Sequence, residues 1–249
     1  MKSNSVSAVA HCKLCLKNEP LRHSHIIPEF SYKPMYDDKH RFMIVSADAS
    51  EPVRHKFKGL REYLLCDACE QRLGIHESYV SRVLFGGVGF TGTTKGSNHH
   101  ISGQEYSNIR LFHLSLLWRM GISTLPLFKN VVLGSHEEKL RQMLLTDDPS
   151  EPNQYGFICA VARIDGKLSS DWIVEPTRGR IGPHHIYQII VSGLLYVFFV
   201  DARPIPAPFN EGFIQKSGDW MILDGEISQI PFWRDYLLKQ AAAMKQRTG

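Results

Sequence analysis

Cys12-Lys13-Leu14-Cys15 and, further along, Cys66-Asp67-Ala68-Cys69 decide how the first part of this chain folds. Four of its five cysteines fall in these two Cys-x-x-Cys pairs. A secreted disulfide scaffold is shorter and richer in cysteine. A redox dithiol sits in a thioredoxin-like βαβ context, which the flanking residues do not supply. Two knuckles that each present two sulfurs about 2.3 Å from one Zn²⁺ make a tetrahedral site. Cys12, Cys15, Cys66 and Cys69 are therefore expected to hold one structural zinc ion. The stretch between the pairs is longer than in a simple zinc ribbon, so something is inserted there. The fifth cysteine, Cys159, lies in the apolar run Phe157-Ile158-Cys159-Ala160-Val161 and reads as a buried core thiol.

Working outward, the 249 residues suit two modest domains or one large one. Hydrophobic content of 43% and charged content of 22% are those of an ordinary globular protein. A net charge of +4 permits a nucleic-acid partner without arguing for one. The longest apolar run, Ile186 to Val200, contains Gln188, Ser192 and Gly193 and is short for a membrane span. It reads as one long buried strand or two strands joined by a bend. Residues 1–10 look like a loose tail with no apolar stretch of signal-peptide length. With paired reduced thiols, this gives the expectation of a cytoplasmic protein without a membrane partner.

Three blocks follow. Residues 11–85 hold the four paired cysteines. Residues 86–104, rich in Gly, Ser and Thr, read as a linker or mobile loop. Residues 105–249 begin with a helix over about 105–120, where Ile109, Phe112, Leu116 and Met120 recur at helical spacing. A second helix is expected over about 135–145, opened by a Ser135/Glu138 capping box. Strands are expected at Tyr155–Ile164, Trp172–Glu175, Ile186–Val200, Gly212–Gln215 and Asp219–Leu223, with an Asp165-Gly166 turn. A last helix is expected from about 227 to 246. The fold class is α+β: a zinc-stapled domain, then an α+β domain with a mainly antiparallel sheet and flanking helices.

Between the knuckles lies Leu21-Arg22-His23-Ser24-His25-Ile26-Ile27-Pro28, and Leu64-Leu65-Cys66-Asp67-Ala68-Cys69-Glu70 closes the segment. A His followed by two β-branched residues and Pro, held between two cysteine knuckles, resembles the HNH (His-Me finger, ββα-metal) endonucleases over roughly residues 11–80. The resemblance implies a β-hairpin carrying the His, followed by the helix that completes a metal site. It implies His25 as general base, a catalytic Mg²⁺ or Mn²⁺, and a nucleic-acid substrate, DNA before RNA. Phosphodiester hydrolysis needs a neutral imidazole near pH 7 to take a proton from water. It also needs positive charge at the phosphate.

Ser24 stands where many relatives have a metal-binding Asp or His. Arg61 and Glu62 lie where an Asn often stands, and Glu70 replaces a final His or Asn. If a helix starts near Cys69, Glu70 and Glu77 share one face and become candidate ligands for the catalytic cation, while His76 would face the zinc. Arg54, Lys56, Lys58 and Arg61, with Phe57 among them, are candidate phosphate contacts. His99-His100 and His184-His185 read as loop residues, and Arg178-Gly179-Arg180 as a turn. Restriction or anti-phage defence is the role the resemblance implies. Residues 105–249 would recognise substrate, oligomerise or bind a partner protein. The competing reading is a catalytically degenerate zinc module that binds nucleic acid or a protein partner.

Overall fold

The structure, a computed structural model, describes residues 9–46, 48, 51–86, 91–95, 98–168, 170–201, 203–230 and 233–235. Its first half contains β1 (Val9–His11), β2 (Asn18–His25), α1 (Glu29–Tyr32), β3 (Phe42–Val45), β4 (Arg54–Lys56), β5 (Arg61–Cys66) and α2 (Asp67–Phe85). Next come β6 (Thr91–Lys95), β7 (Asn98–Ser102), α3 (Tyr106–Ile122) and α4 (His136–Leu145). The remaining strands are β8 (Phe157–Ile164), β9 (Lys167–Leu168), β10 (Trp172–Ile181), β11 (His184–Val191), β12 (Leu194–Phe199) and β13 (Trp220–Glu226).

Two compact units share the chain and interleave along it. One comprises Met1–Glu29, Gly59–Gly89 and Glu105–Ser150; the other comprises Phe30–Lys58, Phe90–Gln104 and Glu151–Gly249. This is not the division into continuous blocks 11–85, 86–104 and 105–249. The insertion between the knuckles supplies β3, which pairs in parallel with β10 from Met43↔Trp172 to Val45↔Val174. The expected linker supplies β6 and β7, paired antiparallel, with β7 pairing β13 in turn.

The first unit holds a three-stranded antiparallel sheet in the order β1-β2-β5, with α2, α3 and α4. β5 runs directly into α2: Cys66 ends the strand and caps the helix with an extended backbone. Asp67 and Glu70 in the first turn suit the positive end of the helix dipole. Cys69, Leu73, His76, Val80 and Val83 form the buried stripe of α2. α3 lacks the polar face expected of an amphipathic helix, because every residue from Ile109 to Met120 is buried. Its arginines are accommodated by partners: Arg110 Nε donates to Pro149 O at 3.2 Å, and Arg119 makes the contacts described below.

The second unit holds a ten-stranded sheet, β4-β3-β10-β11-β12-β8-β13-β7-β6 with β9 beside β8. All pairings are antiparallel except β3–β10 and β8–β13. Val174, Ile190, Leu195, Phe199, Phe213 and Trp233 belong to its core. The run Ile186–Val200 is two strands, because Ser192 and Gly193 both take positive φ (53° and 78°) and close a tight turn. Asp165-Gly166 does the same between β8 and β9. Other expectations fail where pairing overrides local signals. Arg178-Gly179-Arg180 extends β10 against β11, and His184, His185, His99 and His100 lie in strands rather than loops. Gly212–Gln215 begins at the last residue of the 3₁₀ turn Phe209–Gly212 and is not a strand. Most of the expected last helix, and the tail before Val9, lie outside the described residues. No described helix is long and apolar enough to cross a membrane.

Candidate functional site

The sulfurs of Cys12, Cys15, Cys66 and Cys69 all lie within 4.8 Å of one another. Cys15 Sγ is 3.8 Å from Cys66 Sγ. A tetrahedron with zinc–sulfur bonds of about 2.3 Å has sulfur–sulfur edges of about 3.8 Å. Donor type and spacing therefore both fit a closed zinc site. The first knuckle is folded by Cys12 N donating to Lys17 O and Leu16 N donating to Cys12 O, each at 2.9 Å, with Leu16 at φ 61°. Lys13 N donates to Leu64 O at 2.9 Å, which fastens this knuckle to β5. From α4, Arg141 donates to Leu14 O and is gripped by both oxygens of Glu138 at 2.7 Å. Glu138 is thus engaged with Arg141 instead of closing a capping box, and Ser135 makes no side-chain cap. Burial pushes the Cys66 and Cys69 thiols above their ordinary value, whereas at Cys12 burial is outweighed by hydrogen bonds from the backbone of Cys15, Cys66 and Leu14, which lower it. A cation is what would turn the set into thiolates, with release of protons.

His25 ends β2 opposite Arg61, which opens β5. The antiparallel pair β2–β5 followed by α2 is a ββα arrangement, but α1, β3 and β4 separate the two strands in sequence, so they are not the single β-hairpin that the resemblance implies. His25 Nε2 lies 2.6 Å from Glu29 Oε2, and that oxygen also accepts from Arg61 Nη2 at 3.2 Å. Burial pulls the His25 pKa below its ordinary value; Arg61 acts the same way, and Glu29 opposes both. A lowered pKa favours the neutral imidazole near pH 7, here beside a carboxylate, which is the state a general base needs. Strand alternation puts His23 and His25, with Tyr63 and Arg61 opposite, on one face of the pair. Ser24 points the other way and is buried, its Oγ accepting from Leu65 N at 3.2 Å.

The two candidate carboxylates lie on α2 but are engaged differently. Glu77 Oε1 is 2.6 Å from Arg119 Nη2. Arg119, on α3 and only 1% exposed, also donates through Nη1 to His25 O at 2.9 Å and through Nη2 to Ser115 Oγ at 3.2 Å. One guanidinium thus ties α3 to both β2 and α2. Burial pushes the Glu70 carboxyl above its usual range, against a hydrogen bond from Ser24 and the charge of Arg119, and its Oε1 has no hydrogen-bond partner among the described residues. Glu70 and Glu77 do not converge with His25 into a ligand group. Among the described residues, the four cysteines are the only group of three or more Cys, His, Asp or Glu within metal-ligand reach. His76 turns to α3 and not to the zinc site, with Nδ1 2.7 Å from Asn108 Oδ1.

The candidate phosphate contacts do not form one element. Arg54 and Lys56 on β4, and Lys58 after it, belong to the second unit, whereas Arg61 belongs to the first. Arg54 donates to Glu175 Oε1 at 3.0 Å, and buried Glu175 also accepts from Ser46 Oγ at 2.9 Å. Arg54 therefore neutralises a buried carboxylate. Lys56 and Lys58 are exposed.

The chain matches no protein-family model, no curated protein and no solved structure. Sequence reasoning missed two residues of the site. Glu29 had a usable signal, since it stands four residues after His25 and directly after Pro28. Arg119 had none, because it is remote in sequence and sits inside an apolar helix.

Proposed function

We propose that the cysteine-clustered unit binds a structural zinc ion and acts as an HNH-type endonuclease domain that hydrolyses phosphodiester bonds in DNA. The observation that carries this reading is His25, placed at the strand end of a ββα arrangement and oriented by Glu29 as a neutral imidazole. His25 takes a proton from the attacking water. Glu29 holds the ring and stabilises the imidazolium that forms. Arg61 is the cation beside this dyad, on the same strand face, and meets the phosphate. The zinc ion, closed by four thiolates, supplies stability to the fold and no chemistry.

The expected Mg²⁺ or Mn²⁺ site on Glu70 and Glu77 does not fit the arrangement, since Glu77 is committed to Arg119. No step is therefore assigned through a second metal. That same ion pair favours the second reading, a zinc module that binds nucleic acid or a protein partner without cutting. Restriction or anti-phage defence rests on the resemblance alone; a cytoplasmic location rests on the paired thiols, and residues 105–249 would recognise substrate, oligomerise or bind a partner.

Purified zinc-loaded protein incubated with supercoiled plasmid, with and without Mg²⁺ or Mn²⁺, tests the reading. Nicking by wild type that is lost in His25→Ala supports it. Equal inertness of both proteins while both retain DNA binding refutes hydrolysis and leaves the binding module.

A further inference from the structure

A cleft of about 1100 Å³ opens beside the knuckles, lined from β2, β5 and α2 of the first unit. Lys17, Arg22 and Arg72 supply three cations to its wall, against Glu19 and Asp67, and Arg72 is itself ion-paired with Asp147. Arg22 is held by Asp67, 2.8 Å from Nε and 2.5 Å from Nη2, but both side chains are more than half exposed. Exposed pairs of this kind contribute little, so Arg22 can turn to a phosphate at small cost.

The cleft also contains two stacked rings. His23 and Tyr63 are cross-strand neighbours with centroids 5.0 Å apart and planes 27° from parallel. Tyr63 is 52% exposed. A flat ring at the surface of a cleft with exposed cations at its rim matches the face of a nucleobase, and a duplex hides those faces within its own stack. A single strand presents them. The position is also directional: His23 and Tyr63 lie two residues from His25 and Arg61 on the same strand face, about 6.6–6.8 Å along the pair. Zinc with four thiolates carries a formal negative charge, which bars phosphates from the inner end near Cys15 and Cys66. A base suits that end, and phosphates suit the rim, where Lys17 and Arg22 are exposed.

We infer that this cleft binds single-stranded nucleic acid, with one base stacked on the His23–Tyr63 pair and the adjoining phosphate led towards His25. The inference deepens the nuclease reading and rests on it for the direction of the strand. The test uses the full zinc-loaded chain carrying His25→Ala, so that nothing is cut. Fluorescence anisotropy compares a labelled single-stranded deoxyoligonucleotide with the duplex of the same sequence, between about 50 and 200 mM salt. The single strand should bind more tightly than the duplex. Tyr63→Ala should weaken single-strand binding by about 5- to 150-fold, the loss expected for one stacked base, and Tyr63→Phe should restore it. Lys17→Ala should lower the slope of log affinity against log salt by about 0.7, the value for one single-strand phosphate contact. Zinc content shows that each variant is folded, and His23→Ala replaces Tyr63→Ala if that variant loses zinc. Unchanged single-strand affinity in the ring variants, or equal binding of the duplex, overturns the inference. Plasmid cleavage by wild type is scored separately. Cleavage without single-strand preference leaves the nuclease reading standing and removes this one. Ring-dependent single-strand binding without cleavage does the reverse.

Discussion

Loss of a zinc ligand apart, Glu77→Gln should be the most destabilising single change around the candidate site. It removes the carboxylate that neutralises Arg119, a guanidinium that is 1% exposed. An interior charge left without its partner costs about 3–5 kcal/mol. The surviving bonds to His25 O and Ser115 Oγ relieve only part of that. Arg119→Met is milder, because Glu77, 23% exposed, can take water in place of its partner. Its cost comes mainly from leaving His25 O without this donor, about 1–3 kcal/mol, because Ser115 Oγ keeps its bond to Phe112 O. The double variant removes both charges at once and should cost less than the two singles added, by about 1–3 kcal/mol. Urea unfolding of the zinc-loaded chain, followed by far-UV circular dichroism and by tryptophan fluorescence, reads all four proteins. Trp118 is buried next to Arg119 on α3 and belongs to the unit under test. Additivity within about 0.5 kcal/mol would refute the coupling. A Glu77→Gln cost below about 1 kcal/mol would show that Arg119 is not dependent on this carboxylate.

Three further outcomes are expected. Chelation of zinc, or Cys69→Ser, should unfold the first unit, because structural zinc contributes roughly 10–16 kcal/mol, as much as the whole stability of a typical domain; retained tryptophan burial and helicity after complete metal removal would contradict this. Cleavage should persist below the ordinary histidine pKa of about 6.5 and fall only at lower pH, since burial and then Arg61 depress His25; Arg61→Gln should move the acidic limb upward, and a limb that stays put would count against Arg61 as a cause. His113, wholly buried on α3, is held near a pKa of about 3 by burial. Between about pH 6.5 and pH 3 the unfolded chain binds a proton that the native one refuses, so stability falls with pH by up to an order of 5 kcal/mol. Unfolding midpoints for His113→Gln should therefore decline less steeply across that window than those of wild type.

How much of this was legible depended on whether the signal was local. The knuckles were, because ligand type and x₂ spacing carry their own geometry, and the four sulfurs do come together. The resemblance implied the helix after the second knuckle, and β5 does pass into α2 at Cys66, but it did not reveal that α1, β3 and β4 separate β5 from its partner β2. Helical spacing located α3, but it could not reveal that Arg110, His113 and Arg119 would also be buried, since their partners lie elsewhere in the chain. The capping box failed because Glu138 found a stronger partner in Arg141 on its own helix. The Gly, Ser and Thr residues of 86–104 hid a hairpin whose support comes from β13, more than a hundred residues later. Glu70 and Glu77 were placed correctly on α2, yet only α3 could show that Glu77 already has a cation.

The parallel pairing of β3 with β10 has a consequence for synthesis. Both knuckles are complete once residue 69 has been made, whereas Val45 waits for Val174, on the order of 130 residues further along. At about 5–20 residues per second, that wait is roughly 6–26 s on the ribosome. Throughout it, β3 with its buried Phe42 and Ile44 presents an unsatisfied edge. Zinc capture would loop this stretch out early and hold it close to the nascent chain. A truncation at residue 150 keeps every segment of the first unit but freezes that waiting state permanently, so cutting the gene in two is a poor way to separate the halves of this protein.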